Sequence, residues 1–284
     1  MIIVTDSAAD MPKEQVEELG ITVAPLHIQF PEGGVNSDEI TPDEFYSRLR
    51  AMDPHVPTTS QPSAGAFADL YRKLAHLKDE ILSIHISSGL SGTLESARLG
   101  ASQVPEVNVE LVDSMTLSGG ERFQVLAAAM CAKAGLSKKA ILERLDQIRA
   151  HTETIYTLET LTYLARGGRI GRVQALAGSL LNLKPIIKVD KADGKYSTAG
   201  KQRTIPRALE SIRDYLVNTY GSHTPLWVCL LHGQWEEQAK ILSGMLEEKL
   251  DIAKLEILRI SPVLGVHTGP GIVGAAVVPM KYMQ

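Results

Sequence analysis

Short apolar runs separated by longer stretches of helical periodicity constrain this chain more than any other feature. Ile2–Thr5, Glu80–Ile86 and Val107–Asp113 are each too brief for a helix, and each is followed by a helix-like pattern. Strands that are apolar on both sides need cover on both faces. The pattern therefore predicts a mostly parallel sheet with helices above and below it. Val23–Phe30 reads as one further strand. Asp10-Met11-Pro12 reads as an N-cap with proline in the first turn, Thr41-Pro42-Asp43-Glu44 as a capping box opening a helix to about Met52, and Ser63 as the cap of a helix through Leu77.

The texture changes near residue 150. Ser137–Ala150 is an amphipathic helix, and Thr154–Leu158 begins a new strand. Beyond it come a glycine-rich turn at Arg166–Arg172, an apolar helix from Val173 to Leu183, and strands at Lys184–Val189 and Lys195–Thr198 joined by the turn Asp193-Gly194. Helices at Ile205–Tyr220 and Trp235–Leu250 then interleave with strands at Leu226–Leu231, Lys254–Ile260 and Ile272–Val278. This spacing predicts two α/β domains, residues 1–150 with the parallel sheet and residues 151–284 with a mixed sheet, divided near His151.

Composition removes several functions. The chain has 284 residues, 44% of them hydrophobic, which is enough for a large core in two domains. Its net charge is −4 and its 29 basic residues are dispersed, which argues against a nucleic-acid surface. The two cysteines, Cys131 and Cys229, lie in apolar patterns and predict neither a disulfide nor a metal site. Met1-Ile2-Ile3-Val4 runs straight into Asp6 without a leader pattern, and no apolar stretch is long enough to span a membrane. A soluble, cytoplasmic chain is expected.

Three polar islands interrupt the apolar background: Pro57-Thr58-Thr59-Ser60-Gln61-Pro62-Ser63, Ser87-Ser88-Gly89-Leu90-Ser91-Gly92-Thr93 and His267-Thr268-Gly269-Pro270-Gly271. Short hydroxyls and bare backbone N–H groups in such loops suit an anion. The Ser87–Thr93 island stands at the carboxyl end of a strand, where open α/β sheets bind ligands. The prolines around Thr58-Thr59-Ser60-Gln61 hold it extended; a plain connector capped by Ser63 explains it equally well. The glycine–proline turn after His267 suits a ring that is being aimed. The other histidines, His27, His55, His76, His85, His151, His223 and His232, read as surface or packing residues, and Asp6 as a structural support for neighbouring loops.

Two further readings stay open at this level. Gly89-Leu90-Ser91-Gly92-Thr93 nearly spells a nucleophile elbow, and Ser91, Asp113 and His267 follow hydrolase order, so a serine acyl-hydrolase is the competing reading. Thr93 stands where that motif needs glycine, and no oxyanion segment precedes it. Arg166-Gly167-Gly168-Arg169-Ile170-Gly171-Arg172 could clamp an anionic headgroup or face an acidic partner; a solvated loop is the plainer alternative. The small and leucine residues after Val173 fit an acyl tunnel wall or ordinary core.

Together these segments resemble the DegV family. Thr5-Asp6-Ser7, Thr59-Ser60-Gln61-Pro62-Ser63, Ser88-Gly89-Leu90-Ser91-Gly92-Thr93, Asp113-Ser114, Arg166-Gly167-Gly168-Arg169-Ile170, Lys184-Pro185-Ile186 and His267-Thr268-Gly269-Pro270-Gly271 occur in the family's order over essentially the whole chain. The resemblance implies a two-domain α/β fold with a lipid site at and below the domain interface. It further implies a long-chain fatty acid as ligand and a FakB-like role, as the acyl-carrying subunit of a bacterial fatty acid kinase. In that role a separate ATP-binding subunit phosphorylates the carboxylate to an acyl-phosphate for phospholipid synthesis. By the same resemblance Thr59, Ser91 and His267 bind the carboxylate. Arg169 and Arg203 (in Lys201-Gln202-Arg203-Thr204) serve the headgroup or partner docking, and Ser60, Ser88, Gly92, Thr93, Thr268 and Gly269 support the loops. Ala8-Ala9 and Ser118-Gly119-Gly120-Glu121 depart from the family pattern.

The chemistry agrees with a carrier. An acyl chain gains about 0.8 kcal/mol per buried methylene, so a dry tunnel supplies affinity while the headgroup needs only its hydrogen bonds satisfied. The P-loop, magnesium carboxylates and catalytic-loop motifs of a phosphotransferase are absent from the sequence. The expectation is a binding protein without cofactor or metal and not itself an enzyme. The alternatives are the hydrolase using Ser91 and His267, and a lipid-responsive binding protein with no kinase partner.

Overall fold

The computed structural model describes residues 1–75, 80–177 and 183–284. Its first strands are β1 (Ile2–Asp6) and β2 (Thr22–Ala24), followed by β3 (His27–Phe30), β4 (Gly33–Asn36) and β5 (Thr58–Ser60), then β6 (Glu80–His85) and β7 (Asn108–Asp113). β2-β1-β6-β7 form one sheet with every pairing parallel, as the continuous apolar runs predict. Helices Ala64–Ala75 and Thr93–Ser102 cover one face through Phe67, Tyr71 and Ala97; helix Gly119–Lys133 lies on the other.

The expected strand Val23–Phe30 is two strands. Pro25 has no N–H to give to a ladder, and the chain leaves the parallel sheet there. The second piece, β3, becomes the centre of a small antiparallel sheet ordered β4-β3-β5. Asp10 is not a helix cap: the helix runs Lys13–Leu19 behind Pro12, and Asp10 sits in the left-handed region at φ 49°. The Thr41 and Ser63 caps form as expected, each hydroxyl accepting an N–H three residues on. Of the helix expected through Leu77, Ala64–Ala75 is described and Leu77 lies outside the described residues, as does His76.

The second half contains β8 (Glu153–Leu158), β9 (Lys184–Val189), β10 (Tyr196–Gln202), β11 (Leu226–His232), β12 (Ile252–Arg259) and β13 (Ile272–Pro279). They form a six-stranded mixed sheet, β10-β9-β8-β13-β11-β12, in which only β11 and β12 run parallel. β10 is longer than the expected Lys195–Thr198. Of the helix expected over Val173–Leu183, Gln174–Ala177 is helical, and residues 178–182 lie outside the described residues.

Alternation along β11 divides its side chains between two cores. Leu226, Val228 and Leu230 pack under helices Ile205–Tyr220 and Glu236–Glu247, whereas Trp227, Cys229 and Leu231 face the first half of the chain. Helix Gly119–Lys133 fills the space between the two sheets. It touches β1 and β6 on one side and β8, β11 and β13 on the other, so it is buried nearly all round. Gly119 and Gly120 permit that approach, because a side chain at Gly119 would press on Ala276.

Candidate functional site

The site is built where the small antiparallel sheet meets the end of helix Pro262–Thr268. β5 is extended between Pro57 and Pro62 and pairs Thr59 with Ile28 of β3, which fixes the direction of the Thr59 side chain. Helix Pro262–Thr268 begins on a proline and ends at Gly269, whose φ of 71° and contact with the Tyr163 ring leave no room for a side chain. His267 stands in its last turn, and its Nε2 is hydrogen bonded to Thr59 Oγ1 at 2.8 Å. Two islands 208 residues apart in sequence thus meet in one bond.

The glycine–arginine loop lies over the imidazole. A side chain at Gly167 would overlap His267 Nδ1, and Arg169 Nη1 donates to the Gly167 carbonyl at 2.8 Å. Nδ1 is buried and, among the described residues, has no hydrogen-bond partner. Burial, and secondarily the charge of Arg169, lowers the His267 pKa to about 4, so the ring is neutral at neutral pH. A neutral ring with Nε2 protonated would donate to Thr59 Oγ1 and leave the threonine proton free to face a ligand.

The third island meets the Thr59 segment at Gln61 and Pro62. Ser91 Oγ and Thr93 Oγ1 are hydrogen bonded at 2.8 Å, and Thr93 N donates to Ser91 Oγ at 3.3 Å, just ahead of helix Thr93–Ser102. Gly92 lies against the Gln61 amide, where an added Cβ would be 3.1 Å from Nε2, and Ser96 donates its hydroxyl to the Pro62 carbonyl. Ser60 and Ser88 are exposed beside them, and Ser88 N donates to the Asp113 carboxylate at 3.3 Å. Thr268 is buried, its hydroxyl on the Leu264 carbonyl at 3.1 Å. Arg203 is exposed at the end of β10, and among the described residues no hydrogen bond or ion pair joins it to this cluster.

Ser91, Asp113 and His267 share no hydrogen bond among the described residues. His267 Nε2 serves Thr59, and the Asp113 carboxylate is taken by Ser88 N and by Met115 N at 2.9 Å. A serine–histidine–aspartate relay does exist elsewhere, where the sequence reading saw only packing. His85 Nδ1 is 3.0 Å from Asp6 Oδ2, and its Nε2 is 2.8 Å from Ser83 Oγ, which is 2.9 Å from Tyr71 OH. All four residues are completely buried, so no substrate reaches them. Asp6 also accepts from Ala8 N and Ile86 N, holding both loops that leave the sheet, as its sequence reading expects. The available signal was polar Ser83 and His85 at strand spacing inside an apolar run.

Below His267 an apolar crevice opens between helix Pro262–Thr268 and the second sheet. Leu264, Thr268, Tyr156, Ile272, Gly274 and Leu117 border it. Acids lie behind its wall: burial raises Asp10 to about 6, and burial together with the charge of Asp6 pushes Glu121 well above the usual carboxylate range. The two departures from the family pattern sit here. Ala8 and Ala9 are fully buried, and Ser118, at φ 54°, donates its hydroxyl to Asp10. Among the described residues no group of three or more metal-ligating side chains gathers, and no helix is long and apolar enough to cross a membrane.

Fold and site together define a class: two α/β sheets about a shared helix, with a hydroxyl and imidazole cluster at the mouth of an apolar crevice. The family model described as an uncharacterised protein of the DegV family matches residues 1–280. A DegV domain-containing protein of Deinococcus radiodurans is 38% identical over 277 residues, covering 98% of this chain and 95% of that protein. The fatty-acid-binding DegV family protein of Thermus thermophilus superposes with a TM-score of 0.91 at 34% identity, covering 98% of this chain and 99% of the other. The fatty acid binding protein DegV of Bacillus subtilis gives 0.89 at 31% identity, with 98% of each chain covered. The chain belongs to the DegV family.

Proposed function

We propose that this protein binds a long-chain fatty acid, with its carboxylate at Thr59, Ser91 and His267 and its alkyl chain in the crevice below. The observation that carries the reading is the Thr59–His267 hydrogen bond, made by a ring held neutral directly beside Thr268 at the crevice mouth. Three groups that donate or orient protons suit a carboxylate, and the apolar wall suits a chain. Relatives of the same fold bind fatty acids, which supports the ligand class.

In this reading residues 1–150 contribute Thr59 and Ser91 and residues 151–284 contribute His267, Arg169 and most of the crevice wall. A separate ATP-binding kinase subunit, in the cytoplasm, takes the exposed carboxylate and forms the acyl-phosphate used in phospholipid synthesis. Arg169, whose only partner among the described residues is a carbonyl, is free to offset charge on carboxylate or acyl-phosphate, and exposed Arg203 is available for docking. The protein supplies binding and presentation, and the partner supplies the chemistry.

Mass spectrometry of the purified protein, native and then after organic extraction, tests the ligand. A stoichiometric free fatty acid is expected. No lipid, together with turnover of an activated ester, would transfer the role of Ser91 to a hydrolase. Adding a fatty acid kinase ATP subunit with ATP should then yield acyl-phosphate; a loaded protein that yields none is a lipid-responsive binder.

A further inference from the structure

The crevice has an end, and a hydrogen bond builds it. The register of β8 on β13 runs from Leu158↔Ile272 near the mouth to Thr154↔Ala276, four residues deeper, which is about 13 Å at strand spacing. Thr154 borders the apolar crevice, and it also borders a second space on its far side. The second space is mixed in character, walled by Ser114, Thr116, Thr152, Arg149 and Lys191 together with Met115 and Val189. Between the two, Thr154 Oγ1 is hydrogen bonded to Thr116 Oγ1 at 3.0 Å, and both residues are buried.

We propose that Thr154, braced by Thr116, is the stop that limits the length of the bound acyl chain. The proposal rests on the fatty-acid reading above and names the residue that sets its chain-length specificity. Because hydroxyl and methyl share one Cβ, engaging the hydroxyl with Thr116 turns it from the chain and leaves the methyl for the apolar side. A methylene pushed past this point would meet hydroxyls and cations beside Met115 and Val189 and forfeit part of the roughly 0.8 kcal/mol that each buried methylene gains. The cations are pinned where they stand. Lys191 Nζ is 2.6 Å from Glu153 and Arg149 Nη1 donates to the Asp113 carbonyl at 3.2 Å, so neither folds away to make an apolar extension.

Gly120 gives the stop its room. An added Cβ there would lie 2.5 Å from Thr154 Oγ1 and 2.7 Å from Thr116 Oγ1, so any side chain would split the pair. One of the two departures from the family pattern, Ser118-Gly119-Gly120-Glu121, thereby acquires a steric purpose.

The test loads wild type, Thr154→Leu and Thr154→Ala from a mixture of saturated fatty acids of graded length and reads the bound lipid by mass spectrometry. The leucine fills the end of the crevice, and the predominant chain should shorten by about two carbons, since a close-packed site has no slack to absorb the added volume. The alanine removes the stop and should raise the long-to-short ratio. A loaded Thr154→Leu protein with the wild-type length profile overturns the proposal and leaves fatty-acid binding intact. If the leucine variant does not fold, an unchanged ratio in the alanine variant overturns it equally. Wild-type protein that takes up no fatty acid overturns both readings.

Discussion

At the scale of the residue, His267 carries two separable predictions. Thr59→Val keeps the shape of the side chain but removes the hydroxyl between ring and ligand. Losing one hydrogen bond to a charged group, worth about 1.5 kcal/mol at least, should weaken fatty-acid affinity by about tenfold or more. Equilibrium binding of a fluorescent fatty acid measures this, and unchanged affinity would remove Thr59 from the carboxylate site. The second prediction concerns pH. The folded protein holds His267 at about 4, below the 6.5 of an unfolded histidine, so between those values the unfolded chain binds more protons. Its contribution is complete above pH 6.5 and lost as pH falls towards 4. Asp10 acts oppositely: raised from 3.8 to about 6, it takes its proton first in the folded state and adds stability as pH falls across that range. The wild-type profile therefore flattens. His267→Gln removes only the destabilising half, so the variant should gain on wild type in urea midpoint between pH 7 and 4.5. A difference that stays constant with pH would show that the ring is not held neutral.

At the scale of the element, what could be read depended on whether the signal was local. The Thr41 and Ser63 caps, the extended Thr58–Ser60 segment and the helix Ile205–Tyr220 follow from neighbouring residues and appear where expected. The Thr59–His267 bond does not, because it needs β5 on β3 and helix Pro262–Thr268 across its end. The family resemblance singled out both residues, but no spacing in the chain shows that they touch. The same holds for β6. Strand periodicity puts Ser83 and His85 on one face, yet the acid that meets them comes from β1, a pairing that reaches back across the intervening strands. Because the Asp6–His85 pair is wholly buried, His85→Leu should cost about 3 kcal/mol, the scale for stranding one member of a buried ion or hydrogen-bond pair. Urea unfolding measures it. A loss below about 0.5 kcal/mol, the size of an ordinary surface substitution, would mean that the relay does not hold the strand ends.

At the scale of the molecule, the question is what keeps the two sheets in the alignment that brings Thr59 to His267. Helix Gly119–Lys133 does so by packing against both, and one polar cluster fixes its position. Arg122, with no exposed surface, donates to both oxygens of Glu256 on β12 at 3.0 Å each and to Gln15 of helix Lys13–Leu19 at 2.9 Å. Trp227 of β11 donates to the same Glu256 at 2.7 Å, and the guanidinium holds that carboxyl below its usual range despite burial. A charge placed between two apolar layers is poorly suited to adding stability, since desolvation offsets most of the attraction. It is well suited to fixing alignment, because a sliding error would strand it. The two roles predict different mutant patterns. Glu256→Leu alone leaves Arg122 buried and uncompensated and should cost about 3 kcal/mol, whereas Arg122→Met with Glu256→Leu should cost less than the single change. If alignment is the role, the double variant recovers stability without recovering fatty-acid affinity, because the mouth residues come from opposite sides of this helix. Affinity restored along with stability would show that hydrophobic packing alone sets the sheets, and the cluster would then be dispensable for the site.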